Sequence, residues 1–412
     1  MKRKIDYLFL FYQLLFFSQI LIFFTTDTGL ILQLLVSVVF WIWKKQKFDD
    51  SYIKLFFIFT ILFFIPALIF GYWNIPIFVG SFIRILIGFL VVNAYREDLF
   101  EIFLNLIILL ALLSIVFYFI QIIYPEIFYK FNFLKPFLTH SRAYAGHVNL
   151  LLFHYNTWAT LRNSGFMWEP AAFGAVLAWA LTIHIFKYKF KINQGAIVLL
   201  TAMLTTVSIG TYTYLSIFIG LYFINKKNLI GFITSIILLA ALILFLSKIN
   251  FIKQQADYIQ RKTGQYQTYT VEEARRANAR DVPRTTGFLL DLNYFIANPM
   301  GYGFYRNWIE YPRLAGSPCG LSRFFIKWGL LGICILIYGY SKYIKYLGWK
   351  YKYKIRFASL LTIVFLLTLF GNPIDYAPFM TVFFLFGLNA KRIVKDQYRI
   401  SKKIRLKSPC SN

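Results

Sequence analysis

Acidic side chains are scarce in this 412-residue chain, where 17 Asp and Glu face 44 Lys and Arg for a formal charge of +27. Such a surplus suits a nucleic-acid binder, yet the basic residues fall in short clusters between apolar stretches, the pattern that membrane topology produces. Nucleic acid is therefore not an expected partner. Cysteine is rarer still: Cys319, Cys334 and Cys410 stand far apart with no CxxC spacing, which excludes a disulfide framework and a cysteine zinc site. Three of the four histidines, His140, His147 and His154, recur at intervals of seven residues, with no carboxylate close by. No metal centre is expected from them. Their spacing reads as accidental within the turn-like "KPFLTHSRAYAGHVN", although any one of them could act as a base near neutral pH. No internal repeat is evident, which argues against the paired halves of many carriers.

What is abundant is apolar surface. Hydrophobic residues make up 59% of the chain and aromatics 21%, with a mean hydropathy of +0.60; a soluble domain has roughly 45–50% apolar residues. The composition predicts an all-α polytopic membrane protein. A helix needs about 20 apolar residues to cross the hydrocarbon core. By that measure about twelve spans are expected, near residues 7–24, 29–43, 53–70, 76–94, 99–123, 166–186, 194–208, 211–224, 229–246, 322–341, 356–371 and 374–389. The seventh and eighth are short and separated only by "SIGT" around Gly210, so a helical hairpin and a broken pair are both open. The start, MKRKIDYLFLFYQLLFFSQILIFF, has no small-residue cleavage site and is expected to stay as the first span.

MKRK at the start, KKQK at 44–47, KYKFK at 187–191, NKKN at 225–228, KYIKYLGWKYKYKIR at 342–356 and the tail from Lys391 all fall on one side. The positive-inside rule makes that side, and both termini, cytoplasmic. The expected organisation is residues 1–124 as spans 1–5, 125–165 as a first outer loop, 166–246 as spans 6–9, 247–321 as a second, partly helical outer loop, 322–390 as spans 10–12 and 391–412 as a basic cytoplasmic tail.

The second outer loop carries Arg261, Arg275, Arg276, Arg280, Arg284, Arg306 and Arg313 against only Lys253 and Lys262. Arginine suits planar recognition of phosphate or carboxylate, whereas lysine suffices as a topological charge. An anionic partner outside the membrane is expected, set against a solvated loop whose arginines pair with its own acids. "TVEEARRANARDVP" reads as a short helix with a Thr270–Glu273 capping box and a stop at Pro283; Arg276 and Arg280 share a face, with Arg284 a step beyond. "NPMGYGF" at 298–304 reads as a tight turn.

"RNSGFMWEPAAFG" at 162–174 is the most constrained stretch. Pro170 suits the first position of a helix and disfavours helical backbone at Glu169, so the sixth span is expected to begin at Pro170. Glu169 then sits at the positive end of the helix dipole, as a cap or as a functional carboxylate, and Arg162 either snorkels or serves a site. Arg84 within "SFIRILIGF" is an ionisable residue inside a span and suits a pathway, a buried pair or a cavity wall.

The arrangement "RNSGFMWEPAAFGAVLAWAL", then "LLTAMLTTVSIGTYTYLSIFIGLYF", then a large arginine-bearing outer loop ending in "NPMGYGF", resembles the O-antigen polymerase and ligase superfamily, the polymerases most closely. The resemblance in layout covers most of the chain; the motifs are short. It implies a GT-C-like, metal-independent, inverting membrane glycosyltransferase of the bacterial inner membrane, without a cofactor. The reaction implied joins oligosaccharide repeat units carried on undecaprenyl pyrophosphate, for an O-antigen, capsule or exopolysaccharide. The lipid bilayer, a chain-length regulator and a flippase are the further partners it implies. Arg162 matches the arginine of the family's first outer-loop motif, although the glycine expected eleven positions later falls one further on, at Gly174. One of Arg276, Arg280 and Arg284 would match the second loop's arginines, and the spacing recurs as Arg276 to Gly287. With Glu169 for acceptor activation or for orienting Arg162, these form the candidate catalytic set. Arg142, His154, Tyr302, Arg306 and Arg313 form the candidate substrate-binding set. Ligases of the superfamily place a histidine in the second large loop, and residues 247–321 contain none. Transfer of polymer to a lipid A-core acceptor is one alternative; a lipid-linked saccharide flippase or transporter, a different class, is the other.

Overall fold

A computed structural model describes residues 2–46, 51–71, 75–140, 143, 146–157, 160–227, 233, 284–303, 319–369 and 381–389. Within them the chain is mostly helical: α1 (Lys2–Ser18), α2 (Asp27–Trp43), α3 (Ser51–Phe70), α4 (Ile75–Tyr95), α5 (Asp98–Ile123), α6 (Pro170–Tyr188), α7 (Gln194–Thr205), α8 (Ile209–Lys226), α9 (Arg284–Ala297), α10 (Gly320–Lys350), α11 (Ser359–Thr368) and α12 (381–389). Five of the described helices are long and apolar enough to cross a bilayer: Tyr52–Phe70, Phe78–Tyr95, Asp98–Ile123, Pro170–Tyr188 and Gly320–Lys350. The protein is a helical membrane protein.

The helices follow the apolar runs, and their ends carry physical reasons. α2 is capped by Thr26, whose Oγ1 accepts from Gly29 N at 3.0 Å. α1 stops at Ser18, short of the expected 7–24 span. Beyond it Thr139 N donates to Ile20 O at 3.1 Å and Leu21 bridges Leu138, so loop backbone captures the groups a longer helix would use. α7 and α8 are separated by residues 206–208, with Val207 at φ 44; Gly210 lies inside α8. α10 runs to Lys350, taking in residues 342–350 of the expected basic connection.

α6 is the axis of the bundle. Its sequence, PAAFGAVLAWALTIHIFKY, is rich in Ala and apolar on every side, the signature of a helix buried all round. α5, α7, α8 and α11 pack around it. Trp179 at its centre is fully buried, stacks on Phe17 of α1 and Phe365 of α11, and donates Nε1–H to Thr368 Oγ1 at 3.1 Å. α5 shows a lipid-facing stripe of exposed Leu109, Leu112, Val116, Phe119 and Ile123 at helical spacing. Its opposite stripe, Ile107, Leu110, Ala111, Ser114, Tyr118 and Gln121, is buried and turns polar towards the helix end.

At the Asp98 end of α5, the sequence-distant basic clusters meet. Arg3 and Lys187 both reach Glu101, at 3.9 and 3.5 Å, Lys350 reaches Glu97 at 4.0 Å, and Lys44 holds Asp6 at 2.5 Å. Arg356 N donates to Asn225 Oδ1 at 2.8 Å. Among the described residues the clusters share one end of the bundle, as their sequence pattern requires; the tail from Lys391 lies outside them. The segment after Ile123, at the other end, is not a plain loop: it holds a short helix (Ile127–Lys130), a 3-10 turn (Asn132–Phe137) and an antiparallel hairpin of β1 (His147–Asn149) and β2 (His154–Asn156). That hairpin is the exception to the all-α expectation.

α10 is broken. Gly329 has φ 60 and ψ −165, and the turn at 298–303 enters the break. In an unbroken helix Leu330 N would bond Ile326 O. Here Leu330 N donates to Pro299 O at 2.8 Å, while Tyr302 N donates to Ile326 O at 2.7 Å and Gly303 N to Lys327 O at 3.0 Å. These freed backbone groups find partners in the turn, which is how an interrupted helix survives inside a membrane protein.

Candidate functional site

The polar end of the α5 stripe explains the placement of the 160–174 stretch. Tyr118 OH donates to Leu161 O at 3.1 Å, and Gln121 Nε2 donates to Thr160 O and, at 3.4 Å, to Arg162 O. Asn163 is fully buried and is the anchor. Its Nδ2 donates to Ser114 Oγ at 3.1 Å and Thr205 Oγ1 at 2.9 Å, its Oδ1 accepts from Gly165 N at 2.9 Å, and its backbone N donates to Thr205 O at 2.9 Å. Gly165 takes φ 52, and a Cβ there would lie 2.6 Å from the Phe173 ring. Gly174 faces Thr211 of α8: a Cβ would meet Thr211 Oγ1 at 1.8 Å. The "G…FG" spacing of the stretch is therefore a packing requirement.

These constraints leave the stretch's two candidate catalytic residues, Arg162 and Glu169, half-buried. Arg162 is half-buried; its Nε donates to Thr206 O at 3.3 Å, at the C-terminal end of α7. Glu169 is the residue before α6, with extended backbone (φ −151, ψ 155), and Pro170 is the first helical residue as expected. Its side chain makes no capping hydrogen bond, so the capping role does not describe it; its carbonyl accepts from Phe173 N at 3.2 Å. Next to Arg162, Ser164 carries a fully buried hydroxyl with no hydrogen-bond partner among the described residues.

His154 joins this assembly through its backbone, whose N–H donates to Gly165 O at 2.5 Å. Its buried imidazole stacks on His147, with Nε2 2.7 Å from His147 Nδ1. The seven-residue spacing that looked accidental thus brings two histidines together across the hairpin, where Asn149 pairs His154 and His147 pairs Asn156. Beside them, burial and the neighbouring Tyr129 push the Tyr155 hydroxyl up to about 12. Among the described residues no group of three metal-ligating side chains occurs.

Comparison with family models, with curated proteins and with solved structures finds no match. The site is therefore read from its own geometry. Tyr302 sits at the α10 break: it is buried, its ring stacks on Phe70 with centroids 5.0 Å apart, and its N–H donates to Ile326 O. Arg284 opens α9 directly after Pro283. Arg142, Arg276, Arg280, Arg306 and Arg313 lie outside the described residues. The residues that the motif reading missed are Ser114, Tyr118, Gln121, Thr205 and Thr206. The signal for Ser114, Tyr118 and Gln121 was present in α5 as polar side chains at i, i+4 and i+7 in the apolar second half of the helix; Thr205 and Thr206 at the end of α7 carried no such pattern.

Proposed function

We propose that the chain is a membrane glycosyltransferase that polymerises lipid-linked oligosaccharide repeat units. In this reading an acceptor sugar hydroxyl attacks the anomeric carbon of the growing chain, with inversion. The bond to undecaprenyl pyrophosphate breaks, and the leaving pyrophosphate takes up the negative charge. Arg162 supplies donors to that charge, and Glu169 takes the acceptor proton or holds the arginine. The second-loop arginines Arg276, Arg280 and Arg284 complete the cationic set. The observation that carries the reading is the anchoring of the 162–174 stretch. Asn163, Gly165 and Gly174 fix its backbone to three helices and leave Arg162 and Glu169 half-buried.

The deciding experiment is deletion of the gene with the surface glycan run on a gel. A polymerase predicts loss of the ladder and retention of a single capped unit. Loss of all capping with lipid-linked polymer accumulating points to a ligase instead, and an intact ladder overturns both.

A transport reading draws on two different features, Arg84 in the middle of α4 and the broken helix α10, because interrupted helices line substrate sites in carriers. Lipid-linked single units trapped on the inner leaflet after deletion would favour it over polymerisation.

A further inference from the structure

Two connections at the basic end of the bundle repeat one pattern. KYKFK at 187–191 and KYKYKIR at 350–356 alternate a cation with an aromatic or aliphatic residue. Past the ends of α6 at Tyr188 and α10 at Lys350, Phe190 and Ile355 are buried and Tyr353 is half-buried, whereas Lys189, Lys191, Lys352, Lys354 and Arg356 are all exposed. The apolar members hold the connections to each other. The Phe190 ring meets Tyr353 with centroids 6.2 Å apart and Tyr222 of α8 with centroids 6.0 Å apart. Tyr353 N donates to Gly348 O at 3.0 Å and Arg356 N to Asn225 Oδ1 at 2.8 Å, while Lys226 Nζ lies 6.0 Å from the Tyr222 ring centre. The exits of α6, α8 and α10 thus close round one aromatic knot, and their cations stand outside it.

The acids of this end are engaged elsewhere. Glu97, Asp98 and Glu101 are gathered near Lys350, Arg3 and Lys187 also reach Glu101, and Asp6 is held by Lys44. Among the described residues none of these acids forms an ion pair with Lys189, Lys191, Lys352, Lys354 or Arg356. Lys189, Lys227 and Lys352 moreover make the helix exits with left-handed backbone, φ 53, 54 and 48, where glycine is the usual residue. A charge is kept there at some cost in backbone strain.

α6 and α10 are of spanning length, so cations directly past their ends lie at the level of lipid headgroups. Exposed Ile192, Trp349 and Phe357 adjoin them in sequence, apolar side chains that a free anion would leave in water and that a bilayer interface would cover. All of the exposed cations but Arg356 are lysines, compact point charges that suit a spread of phosphates better than one bidentate ligand.

We propose that this face docks on anionic phospholipid headgroups of the leaflet at its end of the bundle. Lys189, Lys191, Lys352, Lys354 and Arg356 meet the phosphates, and Ile192, Trp349 and Phe357 dip towards the acyl chains. The surface does not rest on the polymerase reading. Its test uses purified protein and no glycan, so a failure here leaves the glycan-ladder experiment untouched, and the reverse also holds.

The full chain, in a non-ionic maltoside detergent, is titrated with dihexanoylphosphatidylglycerol, dihexanoylphosphatidylcholine, inorganic phosphate and a hexaglutamate peptide, and its thermal unfolding midpoint is followed. Phosphatidylglycerol is expected to raise the midpoint saturably, with each of the other compounds at least about tenfold weaker. Raising NaCl from about 0.05 M to about 0.5 M is expected to shrink the shift, and a shift unmoved by salt would refute charge recognition. The double variant Lys352→Gln, Lys354→Gln is expected to weaken phosphatidylglycerol about tenfold. Lys130→Gln, Lys135→Gln, an equal loss of charge at the other end of the bundle, is expected to change it by less than about twofold. Both variants alter exposed side chains only, and the midpoint without lipid checks folding. An equal response to phosphatidylcholine overturns anion recognition. An equal response to inorganic phosphate or to hexaglutamate assigns the face to a free anion or to an acidic protein and overturns lipid docking. Undiminished binding in the first variant, or an equal loss in the second, overturns the proposal as well.

Discussion

Asn163, in the stretch leading to α6, and Ser114, in the buried stripe of α5, are joined by a hydrogen bond of 3.1 Å from Nδ2 to Oγ. Through this contact and its partners, a segment of irregular backbone becomes part of the bundle. Asn163→Ala removes two side-chain donations and one acceptance in a fully buried place. A buried hydrogen bond contributes about 1 kcal/mol, and each group left unpaired costs about 1–3 kcal/mol. Asn163→Ala is expected to lower stability by about 3 kcal/mol or more in denaturant unfolding of the purified protein. A loss below about 1 kcal/mol would mean that the loop is held by something else.

Gly174 and Thr211 make a reciprocal pair. Gly174→Ala places a methyl 1.8 Å from Thr211 Oγ1 and 2.9 Å from its Cβ, an overpacking that costs about 1–3 kcal/mol or more. Combining it with Thr211→Gly, which removes both atoms, is expected to restore much of the loss. Simple additivity of the two variants, measured as unfolding midpoints, would refute the contact.

Arg162 bonds to Thr206 O at 3.3 Å through Nε, a planar donor that lysine lacks. Arg162→Lys is expected to abolish the glycan ladder in cells while the protein stays in the membrane at wild-type level. A normal ladder in that variant returns Arg162 to a snorkelling role.

The break in α10 gives a fourth test. At Gly329 a Cβ would lie 2.4 Å from Met300 O and 2.6 Å from Pro299 O, with φ at 60. Gly329→Ala should drive the turn out of the break and destabilise by several kcal/mol, about the scale of core overpacking plus backbone strain. Gly210→Ala serves as the contrast, because its nearest neighbour is Tyr214 Oη at 3.4 Å and it lies inside a helix. It is expected to stabilise by about 0.5–1 kcal/mol. Similar unfolding midpoints for the two variants would contradict the structure of the break.

Glu97 links stability to pH. Burial, partly offset by Lys350, raises its carboxyl above the usual carboxylate range. A raised carboxyl holds its proton more tightly in the folded chain than in the unfolded one. Its contribution is therefore most favourable below the ordinary value of about 4.3 and declines as pH rises through the folded value. Glu97→Gln is neutral throughout and should flatten that decline. Unfolding midpoints between about pH 4 and about pH 7 would show it, and an unchanged slope would sink it.

Most of the described helices, the start of α6 at Pro170 and the meeting of the described basic clusters at one end were legible in the sequence, because apolar runs, a proline and charge clusters act locally; the expected span at 229–246 and the basic tail lie outside the described residues. The polar triad of α5 was legible in principle, since Ser114, Tyr118 and Gln121 share a face by spacing alone. The hairpin was not: β1 and β2 are three residues each, and the bond from His154 to Gly165 depends on tertiary placement. Gly329 looks like any glycine in an apolar run. Its break is imposed by Pro299, Tyr302 and Gly303, more than twenty-five residues upstream. Of the arginine-bearing second loop, only residues 284–303 and 319–321 fall among the described residues.

One consequence of the interrupted helix concerns leverage. Tyr302 and Gly303 grip the carbonyls of Ile326 and Lys327, and Phe324 and Trp328 from that same stretch of α10 line a small cavity together with Arg84 of α4. The 298–303 turn is thus a handle on the cavity wall: it ties the end of the second loop, by backbone alone, to the packing beside Arg84.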